Sequence, residues 1–250
     1  MPVAEPWFYI AAVPAVLIVG ISKGGFGGGL ALVGVPMMSL LASPAQAAAI
    51  MLPILIVMDA VGVWAYRRRF DRDAMLVMLP GAALGIAAGG FAFGLLNAEI
   101  MRLLIGLIAV GFVAYNFLGR NLLRPARSPN AWLGGICGAV SGFTSTLAHA
   151  GGPPAAMYLL PLRLDKTVFV ATTVILFTAI NLMKLIPYSL IGQFSTANLT
   201  TSLVLAPLAP IGVRLGIWLH GRVNEVLFYR LAYAFVAIAG LKLIWDGIAG

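Results

Sequence analysis

The sequence predicts an all-α polytopic membrane protein made of two inverted structural repeats. Three observations predict it. The first is composition: of 250 residues, 61% are hydrophobic and only 10% are charged, whereas a soluble domain is nearer one quarter charged. The mean hydropathy is +1.00. The second is where the charges fall. Stretches 74–98 and 194–213 carry none, 131–162 carries none unless His149 is protonated, and 44–66 carries only Asp59. A helix crosses the hydrocarbon with about 20 apolar residues. The third is that the chain aligns with itself, while equivalent loops carry opposite charge bias.

The repeat is explicit. Residues 76–104 align without gaps on 203–231, with identities at Leu76/Leu203, Val77/Val204, Pro80/Pro207, Ala82/Ala209, Gly85/Gly212, Gly89/Gly216, Gly94/Gly221, Asn97/Asn224 and Leu104/Leu231. Upstream, with a small shift, Ser22, Gly28 and Gly29 fall on Ser145, Gly151 and Gly152, and Asp59 and Tyr66 fall on Asn181 and Tyr188. The expected organisation is a first membrane repeat at 1–119, a cytoplasmic linker at 120–130 and a second membrane repeat at 131–250.

Each half reads the same way. A short apolar segment comes first, 7–22 and 131–146. A Gly-rich break follows: Lys23-Gly24-Gly25-Phe26-Gly27-Gly28-Gly29, and Leu147-Ala148-His149-Ala150-Gly151-Gly152-Pro153-Pro154. A second short segment spans 30–42 and 155–162, so that each break sits in a broken helix or a re-entrant hairpin. Three longer helices complete each half, over about 44–66, 74–96 and 98–119, then 167–191, 197–219 and 225–246.

Loop charge sets orientation. Arg67, Arg68, Arg69 and Arg72 mark a cytoplasmic loop, and two crossings later Arg120, Arg124 and Arg127 mark another. The loop at 42–44 is uncharged, yet its counterpart holds Arg163 and Lys166. The counterpart of the arginine loop, Gly192-Gln193-Phe194-Ser195, is uncharged. Similar sequences inserted in opposite senses form an inverted repeat, a frequent plan for secondary transporters. This puts both termini in the periplasm of a bacterial inner membrane. Arg102 and Lys242 fit the scheme poorly. Residues 1–7 hold no Lys or Arg ahead of the apolar stretch, so no cleaved signal peptide is expected.

The breaks are the candidate site. Irregular backbone at membrane depth is tolerated where it is buried in protein or lines a watery cavity. Glycines let successive N–H groups converge, and the positive end of the following half-helix adds to their field. That suits a small anion. The candidate binding residues are Ser22, Lys23, Gly24, Gly25, Gly27, Gly28 and Gly29 in the first half. In the second half they are Thr144, Ser145, Thr146, His149, Gly151 and Gly152. The bland alternative is that the glycines only allow close helix packing, that the hydroxyls bond between helices, and that Lys23 anchors a helix end. Asp59, His149 and Lys184 are ionisable groups inside predicted spans, hence candidates for proton coupling. Pairing of Asp59 with Lys23 or Lys184 would serve the fold instead. Arg214, also inside a predicted span, is assigned to a position near the cytoplasmic surface.

The breaks also carry a resemblance. Residues 20–36, Gly20-Ile21-Ser22-Lys23-Gly24-Gly25-Phe26-Gly27-Gly28-Gly29-Leu30-Ala31-Leu32-Val33-Gly34-Val35-Pro36, resemble the sulfite exporter TauE/SafE family. So do Ser141-Gly142-Phe143-Thr144-Ser145-Thr146-Leu147-Ala148-His149-Ala150-Gly151-Gly152-Pro153-Pro154 and Tyr158, where Gly-Gly-Pro-Pro replaces a third glycine. The resemblance spans nearly the whole chain. It implies a transporter, in the first instance an exporter, for sulfite, an organosulfonate or a related small anion. An uptake permease for another sulfur or carboxylate anion, or a non-transporting membrane subunit, is the alternative. Implied partners are that anion, membrane lipid and protons, and a homodimer is compatible.

Other classes fit badly. The basic residues behind the net charge of +8 lie beside membrane runs, where topology rather than nucleic acid accounts for them. There is no P-loop and no Gly-x-Ser-x-Gly elbow, so no enzyme and no cofactor is expected. Cys137, the one cysteine, and His149 and His220, the two histidines, form no metal spacing. The topology is testable directly: cysteines placed at Arg68 and at Gln193 should label from opposite faces of the membrane. Labelling of both from the periplasm excludes an inverted repeat.

Overall fold

The structure is a computed structural model, and it describes residues 3, 5–25, 31–66, 69–118, 130–219 and 225–249. Arg67, Arg68, Arg120, Arg124, Arg127, His220, Gly221 and Asn224 lie outside the described residues, as does nearly all of the linker. Among the described residues the secondary structure is helical, with no strand.

The described residues form eleven α-helices in chain order: α1 (Pro6–Gly25), α2 (Gly34–Ser39), α3 (Pro44–Tyr66), α4 (Arg72–Leu95), α5 (Ala98–Leu118), α6 (Ala131–Ala148), α7 (Gly152–Leu159), α8 (Lys166–Leu190), α9 (Thr196–Leu205), α10 (Leu208–Leu219) and α11 (Glu225–Ile248). Among the described residues, five stretches are long and apolar enough to cross a membrane by length and composition: Pro6–Gly25, Pro44–Tyr66, Arg72–Leu95, Thr167–Leu190 and Thr196–Leu219. The sequence predicts a single helix for the last, but the chain is interrupted between α9 and α10. Pro207 stands at the interruption, where its missing N–H and its ring both oppose a continuous helix.

Local chemistry starts the helices. Side-chain oxygens of Ser43, Asp71, Asn97, Asn130, Asp165 and Ser195 accept first-turn N–H groups at 2.8–3.3 Å, satisfying donors that a helix cannot satisfy itself. α6 ends differently. His149 takes a left-handed conformation, φ 52°, its N–H returns to Ser145 O, and that of Ala150 returns to Thr144 O. A cap of this kind normally uses glycine. Here it places an imidazole at the break.

The two halves interlock. α1 packs on α10, α4 on α6, and α5 on α11, while α3 and α8 meet at the centre. α3 is buried around most of its circumference, as a core helix should be. Glycines bring the exchanged pairs into backbone contact. A Cβ on Gly24 would lie 2.1 Å from the carbonyl oxygen of Val213, and one on Gly25 2.2 Å from that of Gly216. On the other side, a Cβ on Gly85 would lie 1.9 Å from Ala139 O, and one on Gly142 2.2 Å from Ala82 O.

The outer surface is apolar. Leu76, Leu84, Phe91, Ile186, Leu190 and Leu203 are exposed, a pattern that suits acyl chains as solvent. All five tryptophans, Trp7, Trp64, Trp132, Trp218 and Trp245, are exposed and sit within a turn of a helix end. Interfacial aromatic belts have this distribution. The chain is therefore a multi-pass α-helical membrane protein.

The glycine contacts can be tested. Gly85→Ala should destabilise the purified protein by about 1–3 kcal/mol, since a buried backbone must move. A methyl group added at Gly111 in α5 would meet nothing within 4 Å, so Gly111→Ala should be neutral or stabilising by up to about 1 kcal/mol. Thermal unfolding in detergent would show it; equal melting temperatures for both variants would remove the packing role.

Candidate functional site

Where α1, α3, α6 and α8 approach one another, ionisable groups are sealed from solvent. α3 contributes Asp59, which is buried and bonded on both carboxylate oxygens. Oδ1 pairs with the Lys23 ammonium, and Oδ2 accepts from Asn181 Nδ2 at 2.6 Å. Lys23 comes from the last turn of α1 and Asn181 from α8. Lys23, the expected counter-charge for an anion, is thus already neutralised by a carboxylate of its own half. A buried pair of this kind requires both members, because removing one strands the other.

One turn beyond Asn181 on α8 stands Lys184, fully buried. Its Nζ lies 3.0 Å from Ser145 O, 3.0 Å from Ser145 Oγ and 2.6 Å from His149 Nδ1. All three are neutral acceptors. The ion pairs among the described residues are Lys23–Asp59 and Lys242–Asp246. No described carboxylate therefore lies within 4.0 Å of Lys184. His149 is buried too, and its Nε2 is 3.0 Å from Ala48 O. A carbonyl only accepts, so Nε2 carries the hydrogen and Nδ1 is free to accept from Lys184.

The remaining candidates divide. Ser145 belongs to the Lys184 cluster, and Ser22 is buried on α1 beside Lys23. Thr144 and Thr146 spend their hydroxyl protons on backbone: the single proton of Thr144 has Val140 O at 2.8 Å and Ala150 O at 3.1 Å as alternative or shared acceptors, and that of Thr146 goes to Gly142 O at 2.8 Å. Gly24 and Gly25 face α10 as packing contacts. Gly27, Gly28 and Gly29 lie outside the described residues. Gly151 is buried, and its carbonyl accepts from Ser141 Oγ at 2.7 Å and from Ala155 N at 3.2 Å. Gly152 opens α7, but Pro153 and Pro154 follow it. Neither proline has an N–H, so this helix start presents few donors. Arg214 is exposed on α10.

Two residues outside the expected set matter. Tyr66 OH donates to Gly24 O at 3.2 Å, and Tyr188 OH donates to Thr146 O at 2.7 Å. Each satisfies a carbonyl in the last turn of the helix that leads into a break. The signal for them was the alignment of Tyr66 with Tyr188. Ser141 also stitches the second break and carried no signal beyond its place in the motif.

A cavity of about 460 Å³ opens near the cluster, lined by Ser43, Phe93, Leu96, Met101, Ile191 and Gln193 among others. Three loops meet there, those after α2, α4 and α8. The Phe93 ring is 5.4 Å from that of Tyr188, and the Tyr188 ring is 6.4 Å from the imidazole of His149. Aromatic side chains thus stand between the cavity and the Lys184 cluster. Among the described residues no three His, Cys, Asp or Glu side chains group as metal ligands would.

No curated protein and no solved structure matches the chain. A family model does, over residues 12–243, and that span contains both breaks, Lys23, Asp59, His149 and Lys184. The chain belongs to the sulfite exporter TauE/SafE family of membrane transporters.

Proposed function

We propose that the protein is a secondary transporter that exports sulfite or a small organosulfonate across the inner membrane. The anion binds between the two Gly-rich breaks. The observation that carries this reading is Lys184: a fully buried amine, at the second break, with only neutral acceptors around it. A buried cation with no counter-ion in contact is costly, and a visiting anion supplies the missing charge. The N–H groups of Gly151 and Gly152 add to the shell. Lys23 contributes field, tempered by Asp59.

The repeats at 1–119 and 131–250 are inverted in this reading. The exchanged packing supports it, since the first helix of each half lies against the helix of the other half that holds the aligned glycines. The loops at 42–44 and 192–195, which lack charge and are read as outside, and the loop at 96–97, which the parity of crossings puts with them, all contribute to the lining of one cavity, which then serves as the periplasmic vestibule. Both termini lie on that side.

The test is flux of sulfite and of alkanesulfonates from proteoliposomes under imposed gradients. Outward flux supports export, strictly inward flux indicates an uptake permease, and no flux of any anion sinks the transporter reading. Lys184→Met should weaken anion affinity at least about tenfold, roughly 1.4 kcal/mol. Lys23→Gln should cost about 3–5 kcal/mol of stability by leaving Asp59 unpaired, and Lys23→Gln with Asp59→Asn should recover most of it. If the double variant binds anion like the parent, Lys23 serves the fold; if its affinity stays at least tenfold lower, Lys23 serves the anion.

A further inference from the structure

Resting on the anion site just proposed, we infer that Lys184 and His149 share one exchangeable proton, taken up with each bound anion and released with it. The geometry begins at His149. Its Nε2–H is committed to Ala48 O, so the neutral ring offers Nδ1 as acceptor to Lys184 Nζ at 2.6 Å. A second proton on the ring would set an N–H donor against an ammonium at that distance, two like charges and two donors with nothing between them. The two nitrogens therefore accommodate one excess proton and never two.

The same site also tolerates having none. Ser145 Oγ, 3.0 Å from Nζ, accepts from an ammonium or donates to the lone pair of an amine, because a hydroxyl does either. Lys184 as a neutral amine still donates to His149 Nδ1. The cluster is thus hydrogen-bonded in both states, and only charge distinguishes them. Without an anion, the charged state stands fully buried with no described carboxylate within 4.0 Å. Its partial compensation is the negative end of α6, about half a unit charge spread over a turn. With an anion present, the ammonium is paired. Anion and proton therefore favour each other by linkage.

Other titratable groups do not take this role. α8 packs against α3, α4 and α6. α3 brings Asp59, held by Lys23 and Asn181, and Tyr66, bonded to Gly24 O. α4 brings Arg72 and Asp73 only in its first turn. α6 brings Cys137, more than two turns from Ser145, and α8 itself brings Lys166 in its first turn, about five turns before Lys184, and Tyr188, committed to Thr146 O. Lys23 of α1 keeps its partner throughout.

Calorimetry on the full chain in detergent tests this, with methanesulfonate as the probe because it remains a monoanion across the working pH. Titrations at one near-neutral pH in buffers of different ionisation enthalpy yield the number of protons taken up. The expected result is close to one proton per anion in the parent, and near zero for whatever binding survives in Lys184→Met. In proteoliposomes, methanesulfonate flux should not respond to an imposed membrane potential. Binding heat that is identical in every buffer overturns the inference and leaves the transporter reading standing. No heat with methanesulfonate or with sulfite overturns both. The parent titration alone decides the matter should Lys184→Met fail to fold.

Discussion

Asp59 is the junction on which the site depends. Its carboxylate is buried in the central helix and needs donors from within the protein, since lipid offers none. One comes from α1, Lys23, and the other from α8, Asn181. Both halves of the chain therefore meet on one side chain. The Asn181 bond also helps set how α8 lies along α3, and Lys184 is one turn further on the same face. That places the second lysine against Ser145 and His149 rather than against a carboxylate. The two lysines reach opposite outcomes because one acid serves only one of them.

Backbone polarity imposes a second constraint. The last carbonyls of α1 and α6 lie beyond the reach of their own helices' N–H groups. Tyr66 and Tyr188 answer this in the two halves, each reaching a carbonyl in the closing turn of the preceding helix. In the second half Ser141 and Thr144 add bonds across the break, and His149 closes the helix in a left-handed cap. The break is consequently a rigid, satisfied structure rather than a loose loop.

The glycines turn out to divide their labour. Gly24 and Gly25 face α10, so their missing side chains let α1 touch it along the backbone. Gly85 and Gly142 do the same between α4 and α6. Such contacts suit lipid, where apolar burial does not drive association and close packing must. The second break contributes fewer backbone donors than its composition suggests, because Pro153 and Pro154 have none.

Much of the fold was legible in the chain itself. Charge-free runs long enough to span a membrane, Gly-rich breaks and a self-alignment can all be read from the residues alone, without knowing what packs on what. The likeness of Tyr66 to Tyr188 and of Asp59 to Asn181 was equally visible. The interruption in the run at 196–219 was not drawn from Pro207, because a single proline in an apolar stretch is compatible with a kinked helix as well as a broken one. Only the tertiary structure decided which lysine has a carboxylate, which glycines face a helix and which hydroxyls are already spent. Those outcomes depend on distances between residues far apart in sequence, such as 23 and 59 or 145 and 184. No periodicity or composition encodes which of two buried cations one buried acid will neutralise.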